Sequence, residues 1–78
     1  MKLGTTIQNN DMTLTLVAFK GTDDKNVVFL VSENGCGGCR YVTACDLTRE
    51  KNGNYFWYYG FYTDNFNKAV DDFNKRRR

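Results

Sequence analysis

The stretch "NYFWYYGFYTDNFNKAVDDFNKRRR", Asn54 to Arg78, contains the point where the hydrophobic period of the chain changes. In its first half a period of two places Tyr55, Trp57, Tyr59 and Phe61 on one face of a strand. Phe56, Tyr58, Gly60 and Tyr62 fall on the other, and Gly60 marks a bulge or a close contact. Past Thr63 the spacing lengthens. Phe66, Ala69, Val70 and Phe73 stand at i, i+3, i+4 and i+7, which is one face of a helix. Asp64 or Thr63 supplies its N-cap. The basic run Lys75 to Arg78 lies at its C-terminal end, where positive charge complements the macrodipole.

Upstream, strands alternate with turns. Proline is absent, so the turns rest on glycine, asparagine and aspartate in Lys20 to Asn26, Ser32 to Gly38 and Arg49 to Asn54. Two of these contain Asn-Gly, whose residues tolerate the positive φ of tight hairpins. Met12, Leu14, Leu16 and Ala18 alternate with Thr13 and Thr15, whereas "NVVFLVS" is apolar throughout and reads as a central strand. "RYVTA" is shorter and ambiguous. The expected architecture is α+β: a four-stranded antiparallel meander (residues 12–20, 26–32, 39–44 and 54–63) closed on its apolar face by one helix over 64–76, ββββα.

Seventy-eight residues make one domain, and its core alone supplies no more than ~3–5 kcal/mol. Domains of this size often add a disulfide, a metal or a partner. No apolar run approaches the ~20 residues that cross a bilayer. The N-terminus lacks the pattern of a signal peptide, so a cytoplasmic location is expected. Net charge is +2 and uneven, since the basic residues 75–78 leave the remainder slightly acidic. This is not the basic face of a dedicated nucleic-acid binder, and the tail reads as solvated. Histidine is absent, so any metal must be held by sulfur and oxygen.

All three cysteines lie in "ENGCGGCRYVTACDL", Glu33 to Leu47. Three readings compete. A structural Zn2+ held by Cys36, Cys39 and Cys45 leads, with Asp46 the nearest fourth ligand and Glu50 and Glu33 behind it. That reading carries a geometric condition: "RYVTA" must curl, because an extended run separates Cys39 from Cys45 by roughly 20 Å. A redox centre would need the C-x-x-C at a helix N-terminus, and no helix signal follows it. The third reading is free cysteines in a turn with Cys45 a small buried hydrophobe. No acid–base pair, nucleophile set or phosphate-binding loop accompanies them, so no enzyme is expected. Asp71 and Asp72 read as solvated.

One helix covers one face of a sheet. Part of the aromatic run therefore either packs as core or forms a binding surface, for which Tyr55, Tyr58, Tyr59 and Tyr62 are the candidates. In length, in its asparagine-rich ββββα form and in "CGGC…C" at Cys36, Cys39 and Cys45, the chain resembles type II anti-CRISPR proteins, some of which contain zinc. The resemblance implies a phage or mobile-element protein acting in the cytoplasm of a bacterial host. It implies a non-catalytic inhibitor that binds the CRISPR effector nuclease and prevents DNA loading or cleavage. Direct nucleic-acid contact is not expected of it, and at +2 it would act by steric or conformational blockade rather than by imitating DNA. The alternative is a small zinc-stabilised nucleic-acid-binding or adaptor module.

Overall fold

The structure, a computed structural model, describes residues 1–33 and 39–77. It is α+β, with five strands followed by one helix: β1 Thr6–Asn9, β2 Met12–Gly21, β3 Asn26–Ser32, β4 Tyr41–Arg49, β5 Tyr55–Thr63 and α1 Phe66–Lys75. All neighbours are antiparallel and sequential, in the order β1-β2-β3-β4-β5. The four-strand expectation is corrected by β1. Its apolar content is the single residue Ile7, too little to register as alternation. A two-residue connection, Asn10 and Asp11, joins it to β2, with Asn10 at φ 52° in the left-handed region that asparagine tolerates.

The sheet is curled, and its ends approach each other. Asn9 Nδ2 donates to the Tyr55 carbonyl at 2.7 Å, and the Asn54 side chain accepts from Asn10 N at 3.2 Å. Ile7, Leu14, Leu16, Val28, Leu30, Val42, Ala44 and Leu47 meet inside the curl, with Met1, Met12, Phe19, Tyr55 and Trp57 packed against them. The principal core is therefore made by the sheet closing on itself. The helix forms a second layer on the outer face. There Phe29 packs against Phe66 and Phe73 with ring centroids 6.0 and 5.9 Å apart, and Tyr41 packs against Phe66 at 5.5 Å. Ala69 is the fully buried residue of α1. "NVVFLVS" is apolar on both faces because β3 serves both layers: Val28 and Leu30 inward, Val27 and Phe29 buried outward.

Breaks in register produce the curl. Leu16 pairs with Leu30 but Ala18 with Phe29, so Val17 is an extra residue in β2. In β4 and β5 the pairing slips between Thr43 and Cys45 and again between Cys45 and Thr48. Asp46 (φ 54°) and Tyr59 (φ 55°) sit at these slips. The slip at Asp46 turns Leu47 into the core. The slip at Tyr59 overturns the simple two-face alternation of β5: Phe61 pairs with Thr43 and Tyr58 with Cys45 on the outer face, while Tyr62 pairs with core-facing Val42.

The Asp46 slip is held from beneath by Asn26, which is fully buried. Its Nδ2 donates to the carbonyls of Thr22 and Asp23, and its Oδ1 accepts from Leu47 N at 3.0 Å. In return Asp46 Oδ1 accepts from Asn26 N at 3.0 Å. Both donors and the acceptor of the side chain are thus used, which makes the burial of an amide tolerable.

The helix is fixed at both ends. Asn65, not Asp64 or Thr63, is its N-cap, accepting from Lys68 N at 3.0 Å, while Thr63 Oγ1 accepts from Asn65 N. At the other end Lys20 Nζ donates to the carbonyls of Phe73 and Arg76 at 2.7 Å each and lies 4.8 Å from the Phe73 ring centroid. A cation there completes open carbonyls and matches the helix dipole. Lys20→Met keeps the apolar stem and removes both bonds. It is expected to lower stability by about 2 kcal/mol in urea unfolding, with a loss of helical circular dichroism at lower denaturant than the β signal.

Candidate functional site

β4 runs through the cysteine region. Tyr41–Arg49 is one nine-residue strand, and Ser32 N donates to the Arg40 carbonyl at 2.7 Å, which carries the ladder one residue further back. Arg40 to Cys45 is therefore extended over about 17 Å. The curl that a shared metal site requires does not occur, because Val42 and Ala44 are drawn into the core and Thr43 to the helix. Two thiolates on one zinc lie within about 5 Å of each other, so Cys39 and Cys45 do not meet there. Asp46, expected as fourth ligand, instead accepts from Asn26. Cys39 is half-buried just ahead of the strand, and Cys36 lies outside the described residues. Among the described residues no three Cys, Asp or Glu side chains gather to hold an ion.

Cys45 belongs to a different group, one between sheet and helix. Its Sγ accepts from Arg76 Nη1 at 3.2 Å. Arg76 Nε donates to Asp72 Oδ2 at 2.7 Å, and the same carboxylate oxygen accepts from the buried Thr43 hydroxyl. Asp72 and Arg76, read from the sequence as solvated, are thus the polar seam of the helix interface. They stand at i and i+4 next to the apolar stripe. That spacing is the signal that could have placed them, but it does not tell inward from outward. Asp71 and Lys75 make the equivalent pair at 2.9 Å on the exposed side.

Burial acts to raise the pKa of Asp72, but hydrogen bonds from Thr43 and Arg76 and the charges of Arg76 and Lys75 outweigh it, holding the carboxyl below its ordinary value. A carboxyl depressed on folding contributes stability that is present above its unfolded pKa of about 3.9 and is lost as pH falls through the folded value.

The four aromatic candidates divide. Tyr55 is half-buried against the core cluster. Tyr58, Tyr59 and Tyr62 are 50%, 76% and 47% exposed. The Tyr62 hydroxyl accepts from Trp57 Nε1 at 2.8 Å. Its ring lies over Gly60, where a Cβ would come within 2.6 Å of the hydroxyl oxygen, so Gly60 is a close contact. Tyr59 holds a left-handed backbone conformation that is uncommon for a bulky side chain.

Two cavities accompany these features. An apolar cleft of about 470 Å³ lies between α1 and the outer face of β2 and β3, against Val17, Phe29, Phe66, Val70 and Phe73. A second, of about 270 Å³, opens at one end of the curled sheet between Leu16, Leu47, Arg49 and Tyr55. No described helix is long and apolar enough to cross a membrane. Compared with known proteins, the chain matches no family model, and neither a curated protein nor a solved structure is significantly similar to it.

Two outcomes follow from the interface. Asp72→Asn is expected to destabilise the protein near neutral pH, and the difference from the parent to shrink as pH falls below about 4 in a series of urea melts. Cys45→Ala is expected to leave the zinc content of the purified protein where it was, as read by elemental analysis. A drop in metal on that substitution would contradict the extended β4.

Proposed function

We propose that the chain is a non-catalytic protein-binding module whose contact surface is the edge strand β5, with Tyr58 on its outer face, Tyr62 on its inner face and Tyr59 at the slip between them. The observation that carries this reading is Tyr59: a large aromatic, 76% exposed, held in a left-handed conformation at a bulge. Such a conformation costs about 1–3 kcal/mol, which is notable in a domain so small, and strained positions concentrate where a side chain must be presented. Tyrosine suits the role, with a large apolar body, a polar tip and few rotatable bonds.

The resemblance to type II anti-CRISPR proteins supplies the finer form of the proposal. The partner is then the guide-loaded CRISPR effector nuclease, and binding blocks DNA loading or cleavage. Zinc enters this reading only through the Cys36–Cys39 pair. A nucleic-acid partner is disfavoured by the basic end of the chain, where Lys75 is paired with Asp71 and Arg76 with Asp72.

Tyr58, Tyr59 and Tyr62 replaced together by alanine are expected to abolish co-purification with a guide-loaded type II nuclease and to restore its cleavage of target DNA. A parent protein that neither binds nor inhibits that nuclease removes the finer form. Binding to single- or double-stranded DNA that weakens steeply with salt would favour the nucleic-acid alternative. Tyr59→Gly separates binding from folding. It is expected to raise stability by about 1 kcal/mol by relieving the left-handed backbone, while weakening any partner held by the tyrosines.

A further inference from the structure

The cavity at the open end of the curled sheet shares no lining residue with Tyr58, Tyr59 or Tyr62. Its surface is mixed: Met1, Thr5 and Tyr55 stand around it, and Ile7, Leu16 and Leu47, almost fully buried, form its floor. Three charged side chains stand around it: Lys2, Asp23 and Arg49. The carboxylate of Asp23 is engaged by the amino group of Met1 at 2.5 Å. Lys2 and Arg49 are exposed, and among the described residues neither side chain makes an ion pair or a hydrogen bond. The mouth therefore offers two uncommitted cations above an apolar floor in a cavity of otherwise mixed polarity.

We propose that this cavity binds a small organic carboxylate, its apolar body against Leu16, Leu47 and Tyr55 and its carboxylate at Arg49 and Lys2. Three features lead to that class. The volume of about 270 Å³ is slightly below the usual range of ligand pockets, so the ligand is small. The apolar floor and the half-buried ring of Tyr55 accommodate a short hydrocarbon or aromatic body. The unbalanced positive rim selects one negative charge, and a guanidinium holds a carboxylate through two parallel hydrogen bonds. The open mouth of a closed or curled sheet is a recurrent place for such ligands. Arg49 lies here because the slip at Asp46 brings Leu47 and Arg49 to the inner face together.

The test is a titration of the full chain with 2-naphthoate and, separately, with neutral 2-naphthamide, followed by amide and methyl NMR shifts. Saturable shifts centred on Ile7, Leu16, Leu47 and Tyr55 are expected for the carboxylate. Its midpoint is expected at least tenfold below that of the amide. Arg49→Gln, at an exposed position that leaves the core intact, is expected to bring the two midpoints together, and Lys2→Gln to narrow the gap in part. Equal midpoints for the two probes in the parent protein would overturn the proposal. So would an unchanged preference in Arg49→Gln, the absence of saturation, or shifts centred on Phe66 and Phe73 in the apolar cleft.

Discussion

The buried amide of Asn26 decides how the sheet closes. It sits beneath the turn between β2 and β3 and accepts from the backbone of Leu47, while Asp46 returns a bond to its own backbone. Through that exchange the strand slips by one residue at Asp46. Before the slip Val42 and Ala44 point inward, and after it Leu47 does. Without it, the alternation would send Asp46 and Thr48 toward the apolar interior. A change of one residue in register reverses every side chain beyond it, so a single well-satisfied amide governs the whole second half of β4.

β4 as a whole sets both surfaces of the molecule. Its inner face completes the core inside the curl, and Leu47 and Arg49 shape the open end. Its outer face offers Thr43 and Cys45 to the helix, where Asp72 and Arg76 meet them. The helix is thus a second layer added to a sheet that already has a core. β5 follows the irregular path of β4 and slips in turn at Tyr59. The exposure of Tyr59 and the folding of Tyr62 over Gly60 are consequences of that second slip.

The elements that could be read from the sequence were those with strong local signals. β3 and β5 are dense in β-branched and aromatic residues, and the change from period two to 3.6 after Thr63 places α1 to within two residues at either end. β1 escaped because four residues with one buried side chain do not make a pattern. The length of β4 escaped for a different reason. Cys45 and Asp46 belong chemically to a metal-site vocabulary, and their strand placement depends on Asn26, some twenty residues away. Asp72 and the basic tail read as solvated, because an i, i+4 spacing beside the apolar stripe does not tell inward from outward and only the position of Thr43 turns Asp72 and Arg76 inward. Among the aromatic candidates, Tyr58 and Tyr59 are exposed as read. Tyr55 is half-buried because its pairing with Arg49 puts it on the inner side of the curl, against the core.

Native-state hydrogen exchange at the Leu47 amide tests this account most directly. If the Asn26 side chain holds the slip throughout the native ensemble, that amide exchanges only on global unfolding, with the protection found at Val28 and Leu30 in the centre of the sheet. Exchange at Leu47 as fast as at an exposed turn amide such as Lys51 would mean that the bond is not maintained, and that something other than Asn26 closes the sheet.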